Sequence, residues 1–269
     1  MLMKHVVITG AASGIGKALT EQFSRNGVHV YALDLDKKKL EELLKWSDQN
    51  DFSVEPICLD VTSTAEIQSF IEKIEAKKIR IDTWVNGAAI SGIGEFQSLT
   101  AEQFDRVMDV NLHSVVKSTR LALKHMHKNG FGWIINMASV AGFVPAPMMS
   151  AYNLTKHAIV GFTRSLQLEM RLTGSPVKMM LVSPGFVETE IINKGAAMGF
   201  PSWLSPILAK PETVATDIIS ALRSGKQEIT PTINGKVMMG MNRLFPKLLS
   251  RNSKVLLSKS WKDLLLNRY

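Results

Sequence analysis

Short apolar runs alternate along the chain with longer stretches in which apolar positions recur every three or four residues. Residues 4–8, 28–33, 54–59, 83–85, 133–137 and 177–182 form the runs, each followed within two residues by glycine, asparagine, aspartate or serine. Near-continuous apolar runs of this length, bounded by turn residues, predict strands buried on both faces. Between them the helical pattern spans about 16–26, 38–47, 101–128 and 211–224, begins near Thr64, and begins again near Ser150. A last short strand is predicted at 227–230. Four strand-helix alternations in roughly the first 90 residues predict an α/β domain, a parallel sheet with helices on both faces.

Ligands in such sheets bind beyond the carboxyl ends of the strands, so the residues just after each run carry the candidate chemistry. The first run leads into Thr9-Gly10-Ala11-Ala12-Ser13-Gly14-Ile15-Gly16. Glycines between a strand and a helix let the backbone approach closely, and the amides at the helix start accept a pyrophosphate. The spacing is G-x-x-x-G-x-G, and taken alone it also fits an ordinary glycine-rich turn. Asp34 ends the second run, 18 residues beyond Gly16. A carboxylate there accepts hydrogen bonds from ribose hydroxyls and repels a 2′-phosphate, which implies NAD rather than NADP. Ser13 before Gly14 agrees, whereas Lys17, Lys37 and Lys38 are cations close enough to weigh against it. Asp60 and Asn86 follow the third and fourth runs; Asp60 is placed to meet the adenine, with a solvated loop aspartate or the cap of the helix near Thr64 as the alternatives.

After the fifth run come Ser139, a loop with two prolines, and a helix carrying Tyr152 and Lys156 four residues apart, on one face. A phenol has an unperturbed pKa near 10, and a cation held close favours its ionised form, so the proton can be exchanged near neutral pH. Ser139 is positioned to hydrogen-bond a carbonyl or alkoxide oxygen. Asn111 interrupts an apolar helix face; a structural hydrogen bond and a catalytic role both account for it.

The chain has 269 residues, 45% of them hydrophobic, with no repeat and no Pro/Gly/Ser-rich linker, which predicts one large domain at 1–240. The single cysteine, Cys58, excludes an intrachain disulfide and fits a reducing, cytoplasmic compartment; inside its apolar run it reads as a small core residue. No secretory leader and no bilayer-spanning stretch is visible. The net charge of +8 is concentrated at the end: residues 243–269 carry seven Lys/Arg against the single acid Asp263. The rest is near neutral, so the basic balance does not point to nucleic acid. This tail, taken as residues 241–269, interleaves its cations with Leu244, Phe245, Leu248, Leu249, Leu256, Trp261, Leu264 and Leu265. Such a pattern suits peripheral contact with an anionic membrane, or a helix packed on the protein with a solvated basic face.

Thr9 to Gly16, Asp60, Asn86, Asn111, Ser139, Tyr152, Lys156 and Pro184-Gly185 together resemble the short-chain dehydrogenase/reductase family in its classical branch, over residues 4–230 or so. The resemblance implies a single Rossmann-type, doubly wound sheet of about seven strands, binding NAD in preference to NADP and needing no metal. It implies cofactor contacts from Gly10, Ser13, Gly14, Ile15, Gly16, Asp34, Asp60, Val61, Asn86, Tyr152, Lys156, Pro184, Gly185, Val187 and Thr189. Tyr152 is then the general acid/base and Lys156 its pKa-lowering partner. Ser139 orients the substrate oxygen, and Asn111 anchors a water in the proton relay. Two departures stand out: Asn86-Gly87-Ala88-Ala89 replaces the family's Asn-Asn-Ala-Gly, and the tail replaces a short glycine-ending terminus. A homodimer through the two long helices is expected.

Phe143, Val144, Pro145, Met148 and Met149 are expected to wall the substrate pocket. An apolar lid over 186–210, with Ile191, Ile192, Met198, Phe200, Trp203, Leu204, Ile207 and Leu208, is expected to cover it. With so few charges there, the substrate is expected to be a lipophilic secondary alcohol or ketone of steroid, retinoid or fatty type. An NADP-linked 3-oxoacyl reductase and a non-catalytic dinucleotide sensor are the alternatives; the complete Ser139, Tyr152, Lys156 set disfavours the sensor.

Overall fold

In β1 (His5–Thr9), Val6 and Ile8 point to one side of the sheet and Val7 to the other, and all three are fully buried. The alternation repeats in Trp84/Val85, Ile134/Ile135 and Met179/Met180, each pair splitting between two separate cores. A strand buried on both faces needs helices on both faces, and these runs have them. The computed structural model describes residues 3–189 and 208–244. Its sheet contains β2 (His29–Asp34), β3 (Val54–Cys58), β4 (Thr83–Asn86), β5 (Gly132–Met137), β6 (Val177–Val182) and β7 (Glu228–Ile229), all parallel. The strand order is β3-β2-β1-β4-β5-β6-β7. The chain winds outward from β1 to β3, returns to the centre and winds the other way from β4. Loops leaving β1 and β4 therefore diverge and open a crevice at the carboxyl ends of the strands. This is the doubly wound α/β fold expected from the alternation of runs.

The helices are α1 (Gly14–Arg25), α2 (Lys37–Gln49), α3 (Thr64–Ala76), α4 (Ala101–Met108), α5 (Ser114–Asn129), α6 (Ser150–Leu172), α7 (Pro211–Arg223) and α8 (Ile233–Leu244). Their starts are written locally. Asp36 caps α2 by accepting the Lys39 amide at 3.1 Å, and Thr100 and Gln103 close a reciprocal capping box on α4. Pro211 occupies the first position of α7, where its missing N–H costs nothing. The predicted single helix over 101–128 is instead two helices joined by a π-helical turn, Asp109–His113. That wide turn carries Asn111.

Cys58 is corrected by the structure. It is exposed, with its Sγ 3.7 Å from the Leu35 carbonyl, because it ends β3, an edge strand that pairs only with β2. Positions 190–207 and 245–269, which include most of the expected lid and tail, lie outside the described residues. The helix α8 runs unbroken through position 240. Among the described residues no helix is long and apolar enough to cross a membrane.

Behind the crevice a buried polar rung ties the central strands. Thr9 stands in register with Asn86, and Asn86 with Asn136. The Asn86 amide donates to Asn136 Oδ1 at 2.8 Å and Thr119 Oγ1 at 3.0 Å, while its oxygen accepts from Trp84 Nε1 at 2.8 Å and Ser118 Oγ at 2.6 Å. Asn136 continues to Thr163 at 3.0 Å. Removing one member strands the others without water. Asn86→Ala is expected to lower unfolding free energy by about 3 kcal/mol, read as a drop in the urea midpoint; an unchanged midpoint would mean the rung contributes nothing.

Candidate active site

A cleft of about 700 Å³ lies beyond the carboxyl ends of the strands. On one side are the loops after β1, β2 and β3, bringing Gly10, Ser13, Gly14, Ile15, Gly16, Asp34, Asp60 and Val61 to its wall. On the other are the loops after β5 and β6 and the start of α6. They bring Ser139, Tyr152, Lys156, Pro184, Gly185, Val187 and Thr189. Two stretches more than seventy residues apart thus meet across one cavity.

The first half has the form of a nucleotide cradle. Ser13 precedes α1 in extended conformation, its side chain does not cap the helix, and the first turn holds no acid. The helix-start amides therefore face the cleft with their partial positive charge uncompensated. A Cβ on Gly16 would collide with the Gly10 carbonyl oxygen and lie 2.8 Å from its carbon, so the turn exists only with glycine there. Gly87 is glycine for a similar reason: a Cβ would come 2.7 Å from the Thr9 carbonyl oxygen. The Gly87 and Ala88 amides reach the Thr9 hydroxyl at 3.1 and 3.3 Å. Gly87, one of the departures from Asn-Asn-Ala-Gly, thus leaves room for the close contact between the β1 and β4 loops.

Asp34 is held from behind, accepting the Ala12 amide at 3.0 Å and the Asp36 amide at 3.1 Å. That fixes its carboxylate at the cleft wall with lone pairs to spare. Asp60 accepts both the amide (2.9 Å) and the hydroxyl (2.8 Å) of Thr62, and lies 3.7 Å from Arg106. Burial alone would raise its carboxyl, but the Thr62 bonds and the Arg106 guanidinium outweigh it and hold it below the usual carboxylate range. It does not cap α3; Ser63 does. The cation on the wall near Asp34 is Lys39, 3.7 Å from Asp36, whereas Lys17, Lys37 and Lys38 are not part of the wall.

In the second half Tyr152 is 8% exposed and Lys156 3% exposed. The ammonium donates to the Met137 carbonyl at 2.8 Å and sits 5.4 Å from the Tyr152 ring centre. Burial pushes the phenol up to about 12, partly opposed by a hydrogen bond with Ser139, and pushes the lysine down to about 8. The anticipated lowering of the phenol by its neighbour is thus absent from this arrangement, because desolvation dominates and the lysine is spent on a backbone carbonyl. At neutral pH the pair is a protonated phenol beside an ammonium. Ser139 also accepts the Ala141 amide at 3.2 Å and donates to the Pro184 carbonyl at 3.4 Å, which joins the β5 and β6 loops.

Two expected site residues do not reach the cleft with their side chains. Asn86 is consumed by the rung described above. Asn111, fully buried, clasps the Ile90 backbone, donating to its carbonyl and accepting its amide at 2.8 Å each. It therefore positions the β4 loop, whose Ile90 side chain does line the cavity. Of the expected substrate wall, Val144, Pro145 and Met149 line the cleft. Phe143 instead lies under the Arg164 guanidinium, 5.0 Å away, and Met148 turns to an outer depression beside Phe96. Sequence reasoning passed over Arg106, Lys39, Ile93 and Met238, all of which line the cavity. Only the helical phase of Arg106 and Lys39 could have signalled them.

The family model described as short chain dehydrogenase matches residues 4–198. The 3-oxoacyl-(acyl-carrier-protein) reductase FabG of Thermotoga maritima is 34% identical over 236 residues, covering 86% of this chain and 95% of the relative. An uncharacterized oxidoreductase, YxnA of Bacillus subtilis, is 30% identical over 250 residues, covering 91% and 70%. Among solved structures, a short chain dehydrogenase/reductase from Burkholderia phymatum in complex with NAD superposes with a TM-score of 0.81 at 25% identity, covering 91% of this chain and 95% of that one. A Beutenbergia cavernae structure with NADP bound at low occupancy gives 0.74 at 25% identity, covering 84% and 94%.

Proposed function

Because the chain belongs to the short chain dehydrogenase family, an oxidoreductase family using NAD(P), we propose that it transfers a hydride between NAD(H) and a lipophilic secondary alcohol or ketone. The observation that carries this reading is the buried Tyr152 and Lys156 with the half-buried Ser139, grouped in a cleft that also holds a glycine-built cradle. The cradle fits a dinucleotide: uncapped amides for the pyrophosphate, and Asp34 for a ribose diol. Bound there, the dinucleotide supplies the hydride chemistry.

The protein's own part is proton management. Ser139 holds the substrate carbonyl oxygen near the phenol, and Tyr152 donates its proton to that oxygen as it becomes an alcohol. Lys156 keeps a positive charge beside the ring at neutral pH and is the adjacent proton source. With the phenol pushed up to about 12, Tyr152 carries its proton at neutral pH, the form that donates when a ketone is reduced.

NAD(H) is favoured by Asp34, whose carboxylate would face a 2′-phosphate. Asp34→Ser is expected to improve NADPH affinity about tenfold and weaken NADH affinity to a similar extent, measured by fluorescence titration; unchanged preference removes Asp34 as the determinant. A lipophilic substrate is favoured by the wall: Ile90, Ile93, Val144, Pro145, Met149 and Met238 line the same cavity as Tyr152. Apart from Lys156, every charged residue lining the cleft among the described residues belongs to the cradle side. The 34% identical 3-oxoacyl reductase favours a second reading, a ketone carried on an acyl thioester. A panel of hydrophobic ketones, acyl thioesters and small sugars, each with NADH and NADPH, separates these readings; sugars turning over best would remove the lipophilic one. Self-association through α5 and α6 is part of the proposal, supported by Leu154, Leu168 and Leu172 standing exposed along α6.

A further inference from the structure

The helix α8 is fastened to the protein on its inward face and bare on its outward one. Inward, Met238 lines the cleft, the buried Gly235 backs against the β6 loop, and Asn242 donates to the Phe143 carbonyl at 3.0 Å. The Asn234 amide brackets Phe186, accepting its N–H at 3.1 Å and donating to its carbonyl at 3.0 Å, while Thr232 accepts the Gly185 amide at 2.8 Å. The helix is thereby fastened to two walls of the cavity, the 184–187 segment and the 141–144 segment.

Outward, Ile233, Val237, Met241 and Leu244 recur at helical spacing and stand exposed, Ile233 by 82% and Leu244 by 72%. Lys236 and Arg243 lie together along one edge of this stripe, and α8 contains no acid. The sequence that continues beyond Leu244 adds Lys247, Arg251, Lys254, Lys259, Lys262 and Arg268 against Asp263 alone. A stripe of large aliphatic side chains is not explained by an anionic protein or nucleic acid, which the cations alone would attract. Apolar side chains rimmed by cations match the chemistry of a bilayer surface with anionic headgroups. We propose that the outward face of α8 docks on an anionic lipid surface, and that this sets the cleft mouth beside the bilayer. The inference does not depend on which substrate the cleft takes. The docking surface is the face of α8 from Ile233 to Leu244, on a helix tied to the cavity walls.

The test is cosedimentation of the full chain with phosphatidylcholine vesicles and with vesicles containing phosphatidylserine, alongside the variant Ile233→Ser/Val237→Ser/Met241→Ser. All three positions are exposed, and NADH titration checks that the variant keeps its fold. Wild type is expected to partition at least about tenfold better onto the anionic vesicles, less so in high salt, with the variant losing about tenfold of that binding. Wild type staying in solution with anionic vesicles overturns the proposal. So does equal pelleting on both vesicle types, or a variant that pellets like wild type, which would mean a surface recognised by charge alone.

Discussion

Tyr152→Phe is expected to lower turnover by about 10³-fold, the scale of removing a positioned proton donor, while NADH binds as before. The phenol is buried and touches the cavity, and phenylalanine fills the same space, so the change deletes the hydroxyl and little else. Steady-state rates and fluorescence titration on one preparation separate the two effects. The pH dependence carries the same signature. With the phenol at about 12 and Lys156 at about 8, both are protonated at pH 7, so wild-type reduction is flat near neutrality. It falls as pH rises through about 8, where the lysine gives up its proton. A rate that instead climbs through this range would assign the work to another group.

Gly16→Ala is expected to weaken NADH binding on the order of 100-fold, about 2.8 kcal/mol. The added methyl has nowhere to go: the Gly10 carbonyl occupies its position, and both partners are backbone. Relief requires the β1 loop to move away from the start of α1, which spreads the amides that make the cradle. Isothermal titration measures this, and circular dichroism shows whether the sheet survives. An alanine variant with wild-type affinity would mean that the turn relaxes freely and that the cradle is not preorganised.

Much of this was legible from the residues, and what was not has physical causes. Strand runs announced themselves because both faces of a parallel sheet are buried; the run 177–182 coincides with β6. Tyr152, Lys156 and Ser139 were legible because a helix period and a strand end dictate where side chains point. The direction of an amide is not dictated in this way. Asn86 and Asn111 are polar residues in apolar surroundings, which says only that each has a partner. That the partners are a rung inside the sheet and the Ile90 backbone depends on contacts 33 and 50 residues away for Asn86, and 21 for Asn111. Cys58 looked like core because a run reveals its apolarity and not its place in the strand order; as the end of the outermost strand it meets solvent. Lys37, Lys38 and Lys39 are three consecutive cations, and only the turn of α2 decides that Lys39 faces the cleft. The ordering of the two pKa values was also hidden, since spacing reveals that a cation is near but not that burial outweighs it.

The central claim is that the Tyr152 hydroxyl and a dinucleotide share one cleft in reacting order. A crystal structure of the wild-type chain soaked with NADH measures this directly. The account predicts pyrophosphate on the α1 amides, adenosine ribose on Asp34, and the nicotinamide ring beside a phenol that keeps its Ser139 hydrogen bond. A nicotinamide ring lying away from Tyr152, or a dinucleotide bound outside this cleft, would contradict it.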